Sequence, residues 1–226
     1  MKFQVPTHLE YFKSLVQGDD GFPMLEAAVC LAQDVHPELD VQDVLAQVDV
    51  LLDRIKRRMP EDASAMHRLR SLNHYFYEEL KFAGNRNDFY NPNNSYLHEV
   101  LRKRLGIPIS LAVLWLELAQ GLGLKAHGVN FPGHFLVKVY LSQGQVVLDP
   151  LTGQSLSPSQ LMEQLEPHLQ RMGLQGELEM PLGLYLRDAA PRAIIARMLN
   201  NLREIHSMQG QEFALTEVQR RLDILG

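Results

Sequence analysis

Residues 84–153 read GNRNDFYNPNNSYLHEVLRKRLGIPISLAVLWLELAQGLGLKAHGVNFPGHFLVKVYLSQGQVVLDPLTG, and this stretch decides the fold. It opens on turn chemistry, with Asn85, Asn87, Asp88, Asn91, Pro92, Asn93 and Asn94 surrounding Phe89 and Tyr90. That composition predicts a structured loop. A short helix follows from Ser95, with Glu99 as a loose capping partner, and ends at Leu105-Gly106. Pro108 starts the next helix and Ser110 lies in its first turn. The body of that helix, Leu111 to Ala119, is apolar enough to belong at the centre of a domain. Gly121 and Gly123 end it, and the apolar period then shifts towards two. Strands are predicted over 125–129, 134–141 and 145–148, with Ser142-Gln143-Gly144 as a hairpin turn. Phe135, Val137 and Val139 share one face of the second strand; His134, Leu136, Lys138 and Tyr140 share the other, with His134 opening the strand.

On the N-terminal side the pattern is helical throughout. Helices are expected over 9–16, 23–34, 41–59 and 64–82, with a turn at 18–21 and Gly84 capping the last helix. Met and aromatic positions in this part read as core rather than as a cofactor pocket. On the C-terminal side a helix is expected over 158–172, then a connector over 173–183. Two more helices, 191–208 and 211–225, are hinged at Gly210. The spacing of Leu202, His206, Gly210, Phe213, Ala214 and Val218 resembles one tetratricopeptide-type pair, which must pack on the main domain or on another chain. The organisation is therefore an α+β core over 84–183, a helical part over 1–83 packed on it, and a helix pair over 184–226.

The totals exclude several function classes. The 226 residues are 46% hydrophobic and 22% charged, as in ordinary globular chains. The formal net charge is -5, and the longest basic cluster, Arg54 to Arg58, ends a helical pattern where a solvated face explains it, so nucleic-acid binding is not expected. The most apolar window, 107–124, contains Glu117 and Gln120 and reads as a buried helix rather than a membrane span. The single cysteine, Cys30, has apolar neighbours and reads as a core residue; the N-terminus lacks a secretory pattern, and a reducing, cytoplasmic setting fits. His98 with Glu99, and His127 with His134, lack the spacing of a zinc site, so neither a metal nor a cofactor is expected.

Nucleophilic acyl transfer needs a nucleophile, a base within hydrogen-bond reach and a group that orients the base. Ser110, His134 and Asp149 supply those types in order. The hairpin pairs residue 134 with a position near 152, which brings Asp149 within a few residues of His134. Each member has a structural alternative. Ser110 is equally suited to satisfying first-turn N–H groups, and His134 to a purely structural bond with Asp149. Asn93 and Asn94 could hold an oxyanion or a peptide, or simply build the turn.

Three motifs carry a family resemblance: Tyr90-Asn91-Pro92-Asn93-Asn94-Ser95, Gly106-Ile107-Pro108-Ile109-Ser110-Leu111, and Phe131-Pro132-Gly133-His134-Phe135-Leu136-Val137. The chain resembles the SirB family of bacterial transglutaminase-like proteins, which also have a helical N-terminal part and a tetratricopeptide-like C-terminal part. The resemblance implies a papain-like core with a Cys at the start of the buried helix, a His at the start of a strand and an Asp one strand later. His134 and Asp149 match. The Cys does not, and only Ser110 offers a nucleophilic atom near that position. Tyr90, Asn93, Asn94 and Phe131, all in these motifs, are the candidate substrate-binding residues.

The expectation is thus a transglutaminase-like protein that lacks the nucleophilic Cys and serves as a protein- or peptide-binding or regulatory module. The resemblance also implies a link to bacterial gene regulation. The alternative is a serine-dependent acyl hydrolase or acyltransferase using Ser110, His134 and Asp149. The residues leave the oligomeric state open.

Overall fold

The computed structural model describes residues 6–18, 21–173 and 181–226. The turn expected at 18–21 and the connector expected over 173–183 lie partly outside these residues. Helices α1 (His8–Leu15), α2 (Met24–Cys30), α3 (Val41–Lys56) and α4 (Ala65–Asn73) build the N-terminal part. The starts of α1, α3 and α4 follow from side-chain chemistry. Thr7 and Ser64 accept from the N–H groups of Glu10 and His67, and Asp40 accepts from those of Gln42 and Asp43.

The helix expected over 64–82 does not run through. α4 passes into a π-helical turn, His74–Glu79, whose Tyr75 and Phe76 are buried, and Lys81 then adopts a left-handed φ of 61°. Gly84 consequently caps no helix. With Ala83 it forms β1 (Ala83–Gly84), which pairs in parallel with β2 (Leu105–Gly106). Between them lie the Asn-rich loop and α5 (Leu97–Lys103). Tyr96, not Ser95, occupies the N-cap of α5, and the helix ends at Arg104 with φ 60°.

α6 (Pro108–Gly121) is the hub. Ile109 to Leu116, Leu118 and Ala119 are all buried, so its first two turns have no solvent face, and only near its end does Gln120 reach solvent. Beyond it, β3 (Lys125–Val129), β4 (Leu136–Leu141) and β5 (Gly144–Leu148) form an antiparallel sheet in that order, with Val137 opposite Leu148. β4 begins two residues later than the sequence pattern predicts. Gly133 has φ 72°, and the His134 N–H donates to the Phe131 carbonyl at 3.1 Å, so His134 belongs to a turn rather than to the ladder.

The sheet is covered on both faces, because alternate side chains point to opposite sides. Phe135, Val137, Val139 and Leu148 join the main core with Trp115 and the rest of α6. Leu136, Val129 and Val147 meet Leu161, Leu165 and Leu169 of α7 (Pro158–Arg171) in a second, smaller core. Lys138 also lies on that face. Only 4% exposed, it pairs with Asp188 at 2.6 Å and donates to the Leu186 carbonyl at 2.6 Å, just past the short α8 (Leu182–Tyr185).

α9 (Pro191–Met208) and α10 (Glu212–Leu225) close the chain around Gly210, whose φ is 66°. This pair packs on the main part of the molecule: Ile194, Ile195, Met198, Leu199 and Leu202 enter the same core as Phe12, Leu72 and Trp115. Arg221 of α10, fully buried, forks onto Asp34 with bonds of 2.7 and 2.6 Å, which satisfies a charge that would otherwise be costly to bury. No helix among the described residues is long and apolar enough to cross a membrane. Cys30 is wholly buried, and burial pushes its thiol up to about 12, so it is protonated at neutral pH.

Candidate functional site

His134 and Asp149 meet just outside the ladder, before β4 begins and after β5 ends. The His134 Nε2 lies 3.3 Å from Asp149 Oδ1, and both side chains are about four-fifths buried, with exposures of 20% and 17%. The Asp149 carboxyl is held below its ordinary value. Burial pushes it up, but the His134 imidazole and the Leu151 N–H, which donates to Oδ1 at 2.8 Å, more than offset that. An ionised Asp149 accepts, so His134 donates from Nε2. Its Nδ1 makes no hydrogen bond among the described residues.

The turn that carries Asp149 is held from the helical side. The Tyr77 hydroxyl donates to the Pro150 carbonyl at 3.0 Å, and Asn73 Nδ2 donates to the Gly153 carbonyl at 3.0 Å. Asn73 Oδ1 in turn accepts from Trp115 Nε1 at 3.0 Å, so α6 fixes the same turn. Gly153 is required here for two reasons: its φ is 70°, and a Cβ would sit 2.3 Å from the Tyr77 ring.

Ser110 is placed differently. It is fully buried at the third position of α6, where its Oγ accepts from the Ile107 N–H at 3.1 Å, the reach-back half of a capping box. The hydroxyl proton lies between the Asn94 carbonyl at 2.6 Å and the Ile107 carbonyl at 3.0 Å. Packing around it is tight, since a Cβ on Gly106 would come 2.7 Å from Ser110 Oγ.

Asn94 is the other half of this latch. It is 3% exposed; its Nδ2 donates to the Asp88 and Phe89 carbonyls at 2.7 and 3.2 Å, and its Oδ1 accepts from Asn85. The Asn-rich loop therefore spends its polar groups on itself and on the start of α6. Its two aromatic residues are left outside, Phe89 49% and Tyr90 53% exposed, in an edge-to-face pair.

A cleft of about 250 Å³ opens beside His134. Ile107, Pro108 and Ile109 form its floor at the start of α6, Phe89 and Tyr90 one wall, and Asn201, Glu204 and Ile205 of α9 another. Of the sequence-predicted residues, His134 and Tyr90 line this cleft. Ser110, Asn93, Asn94 and Phe131 do not; Phe131 is buried in the smaller core. Asp149 faces a second hollow of about 390 Å³, shared with Pro132, Gln164, Pro167, His168 and Arg171 of the α7 side. Gly133 and His134 line both hollows, so the two meet at the Pro132–His134 turn.

Sequence reasoning missed Arg197. Its guanidinium donates to the carbonyls of Phe131 at 3.0 Å and His134 at 2.8 Å and lies 5.7 Å from the centre of the Phe135 ring. Burial holds its pKa below the usual arginine range, yet at neutral pH it stays charged and fixes the turn that presents His134. The signal was present in the spacing, because Arg197, Asn201 and Glu204 recur at four and three residues on one face of α9.

A histidine oriented by a carboxylate can take or give a proton, or donate a hydrogen bond to a bound ligand. The cleft beside it contains no Cys, Ser, Thr or Lys among its lining residues. Among the described residues, no group of three or more His, Cys, Asp or Glu side chains could hold a metal ion.

Comparison with known proteins places this chain in a family. The model of the transglutaminase-like superfamily matches residues 42–200. The chain is 34% identical over 190 residues to a UPF0162 protein of Xylella fastidiosa, covering 84% of this chain and 66% of that protein. It is 34% identical over 202 residues to a UPF0162 protein of Pseudomonas aeruginosa, covering 89% and 72%. A 146-residue match at 38% identity to F-box only protein 21 of Homo sapiens covers 55% of this chain and 23% of that protein. The chain thus spans just under two thirds of the Xylella relative. No solved structure matches. The α+β core and the match over residues 42–200, well over half of the chain, agree, and the chain belongs to the transglutaminase-like superfamily.

Proposed function

We propose that this chain is a SirB-type member of the superfamily whose cleft binds a peptide segment of a protein partner and performs no acyl transfer. One observation carries the reading. Where the buried helix meets the cleft, the side chains are Ile107, Pro108 and Ile109, and the hydroxyl of the helix's first turn, that of Ser110, is buried and occupied by backbone partners. A serine nucleophile needs a free Oγ with its base in reach. Ser110 would have to leave three backbone groups first, which disfavours the serine-dependent alternative.

What the cleft retains suits recognition. It is mostly apolar and aromatic, with a few convergent polar groups, the usual make-up of a binding site. In this reading His134 is a hydrogen-bond donor or acceptor whose orientation Asp149 fixes. The α9–α10 pair, read as tetratricopeptide-like, supplies the wall that carries Asn201 and Glu204. A cytoplasmic partner is part of the same proposal, as is a regulatory role in bacteria.

The test is selection of peptides from a displayed library on the wild-type protein, with counter-selection on Asn201→Trp, which fills the cleft from a partly exposed helix face. Peptides that bind the wild type and fail on Asn201→Trp support the proposal. Peptides indifferent to that substitution, or no enrichment at all, count against it.

A further inference from the structure

Each of the two hollows that meet at His134 is lined by one cation and one carboxylate, Arg197 with Glu204 and Arg171 with Asp149, and they differ in which of the two is left uncommitted. In the first cleft, Arg197 is committed to the Phe131 and His134 carbonyls and His134 to Asp149. That leaves Glu204, which is exposed and makes no hydrogen bond or ion pair among the described residues, beside the exposed rings of Phe89 and Tyr90. In the second hollow, the Asp149 Oδ1 is already shared by His134 and Leu151. The remaining ionisable groups are His168 and Arg171 in the last turn of α7. Arg171 donates only to the Pro167 carbonyl and has no carboxylate partner among the described residues.

An acidic subsite flanked by aromatic faces suits a long cationic side chain, whose aliphatic stem lies on the rings while its head meets the carboxylate. A subsite with a free guanidinium suits a carboxylate. Two hollows of about 250 and 390 Å³ share Gly133 and His134 as lining, and compact volumes of these sizes are about 8 to 9 Å across. At about 3.3 Å per residue, an extended strand crossing them spans roughly five residues.

We infer that the site takes an extended peptide of split charge. A basic side chain sits at Glu204 against Phe89 and Tyr90, the backbone crosses the Gly133-His134 turn, and an acidic side chain about four residues away sits at Arg171 and His168. This rests on the peptide-binding reading above and adds the partner's charge pattern. Both charges are legible only in the folded chain, because Glu204 and Arg171 come from helices at opposite edges of the turn.

The test uses three synthetic peptides titrated into isotopically labelled protein by NMR: acetyl-Lys-Ala-Ala-Ala-Glu-amide, acetyl-Glu-Ala-Ala-Ala-Lys-amide, and a neutral control with norleucine and Gln at the ends. The two charged peptides cover both strand directions. One of them is expected to bind at least tenfold more tightly than the control, with shifts at residues 89–90, 133–134 and 171. Glu204→Gln and Arg171→Gln, both exposed and neutral to folding, should each remove most of that advantage, and the double substitution all of it. Equal, cleft-dependent binding of all three peptides overturns the charge pattern and leaves the peptide-binding reading standing. Tighter binding that survives the double substitution also overturns the charge pattern. If none of the three perturbs the cleft at millimolar concentration, the peptide-binding reading falls, and this inference with it.

Discussion

The Ser110 hydroxyl donates to the Asn94 carbonyl at 2.6 Å, and the Ile107 N–H donates to the Ser110 Oγ at 3.1 Å. The serine that sits where a nucleophile is sought thus ties the Asn-rich loop to the start of α6. Ser110→Ala should destabilise the protein by about 1–3 kcal/mol, because buried backbone groups lose their partner. In thermal unfolding that is a drop of about 2–4 °C per kcal/mol for a chain of this size. Wild type should form no adduct with a fluorophosphonate by intact mass. A wild-type adduct that disappears in Ser110→Ala would restore the hydrolase.

Arg197→Met should loosen the site without emptying it. The substitution leaves the Phe131 and His134 carbonyls without their donors, at a cost of about 2–4 kcal/mol. Amide hydrogen exchange over residues 131–135 should rise more than elsewhere, and Arg197→Lys should recover only part of the protection, since an ammonium cannot fork onto two carbonyls. Uniform loss of protection over the whole chain would show Arg197 to be a stability residue only.

The His134–Asp149 pair sets a pH dependence. The Asp149 carboxyl lies below its ordinary 3.8 in the folded protein, since burial is outweighed by the His134 and Leu151 donors. A carboxyl depressed by folding stabilises the native state above its unfolded pKa, about 3.9, and that contribution fades as pH falls through the folded value. The stability gap between wild type and Asp149→Asn, measured by urea unfolding, should be widest above about pH 4 and close below it. A gap that stays constant from pH 3 to pH 6 contradicts the pairing.

Gly153→Ala should displace the Asp149 turn. The new Cβ meets Tyr77 at 2.3 Å and the residue keeps a left-handed φ of 70°, for a combined cost of about 2–5 kcal/mol. In a Tyr77→Ala background the same substitution should cost less, because the clash is gone and only the backbone strain remains. Equal costs in both backgrounds would mean that the ring is not what the glycine accommodates.

Much of the fold is readable from residues 84–153 because local rules and packing agree there. The apolar run after Pro108 needs burial on every side, and α6 has it; the alternation over residues 135–141 predicts a sheet with two faces, and both are covered. The π-helical turn at His74–Glu79 was not legible, since the same apolar spacing fits an α-helix until Tyr77 reaches for the Pro150 carbonyl. His134 and Asp149 were found because hairpin register is arithmetic. The role of Ser110 was not, because it depends on Asn94, sixteen residues away, folding back over the helix start. Arg197 and Glu204 were hidden in a helix whose pattern reads as packing, and only the tertiary fold turns that face towards His134.

The most direct measurement is the affinity of a library-selected peptide for wild type and for Asn201→Trp, by calorimetry at equal folded concentration. The account predicts that filling the cleft weakens binding at least tenfold while the unfolding midpoint stays within a few degrees. Undiminished binding by Asn201→Trp would place the partner elsewhere and contradict the cleft as the functional site.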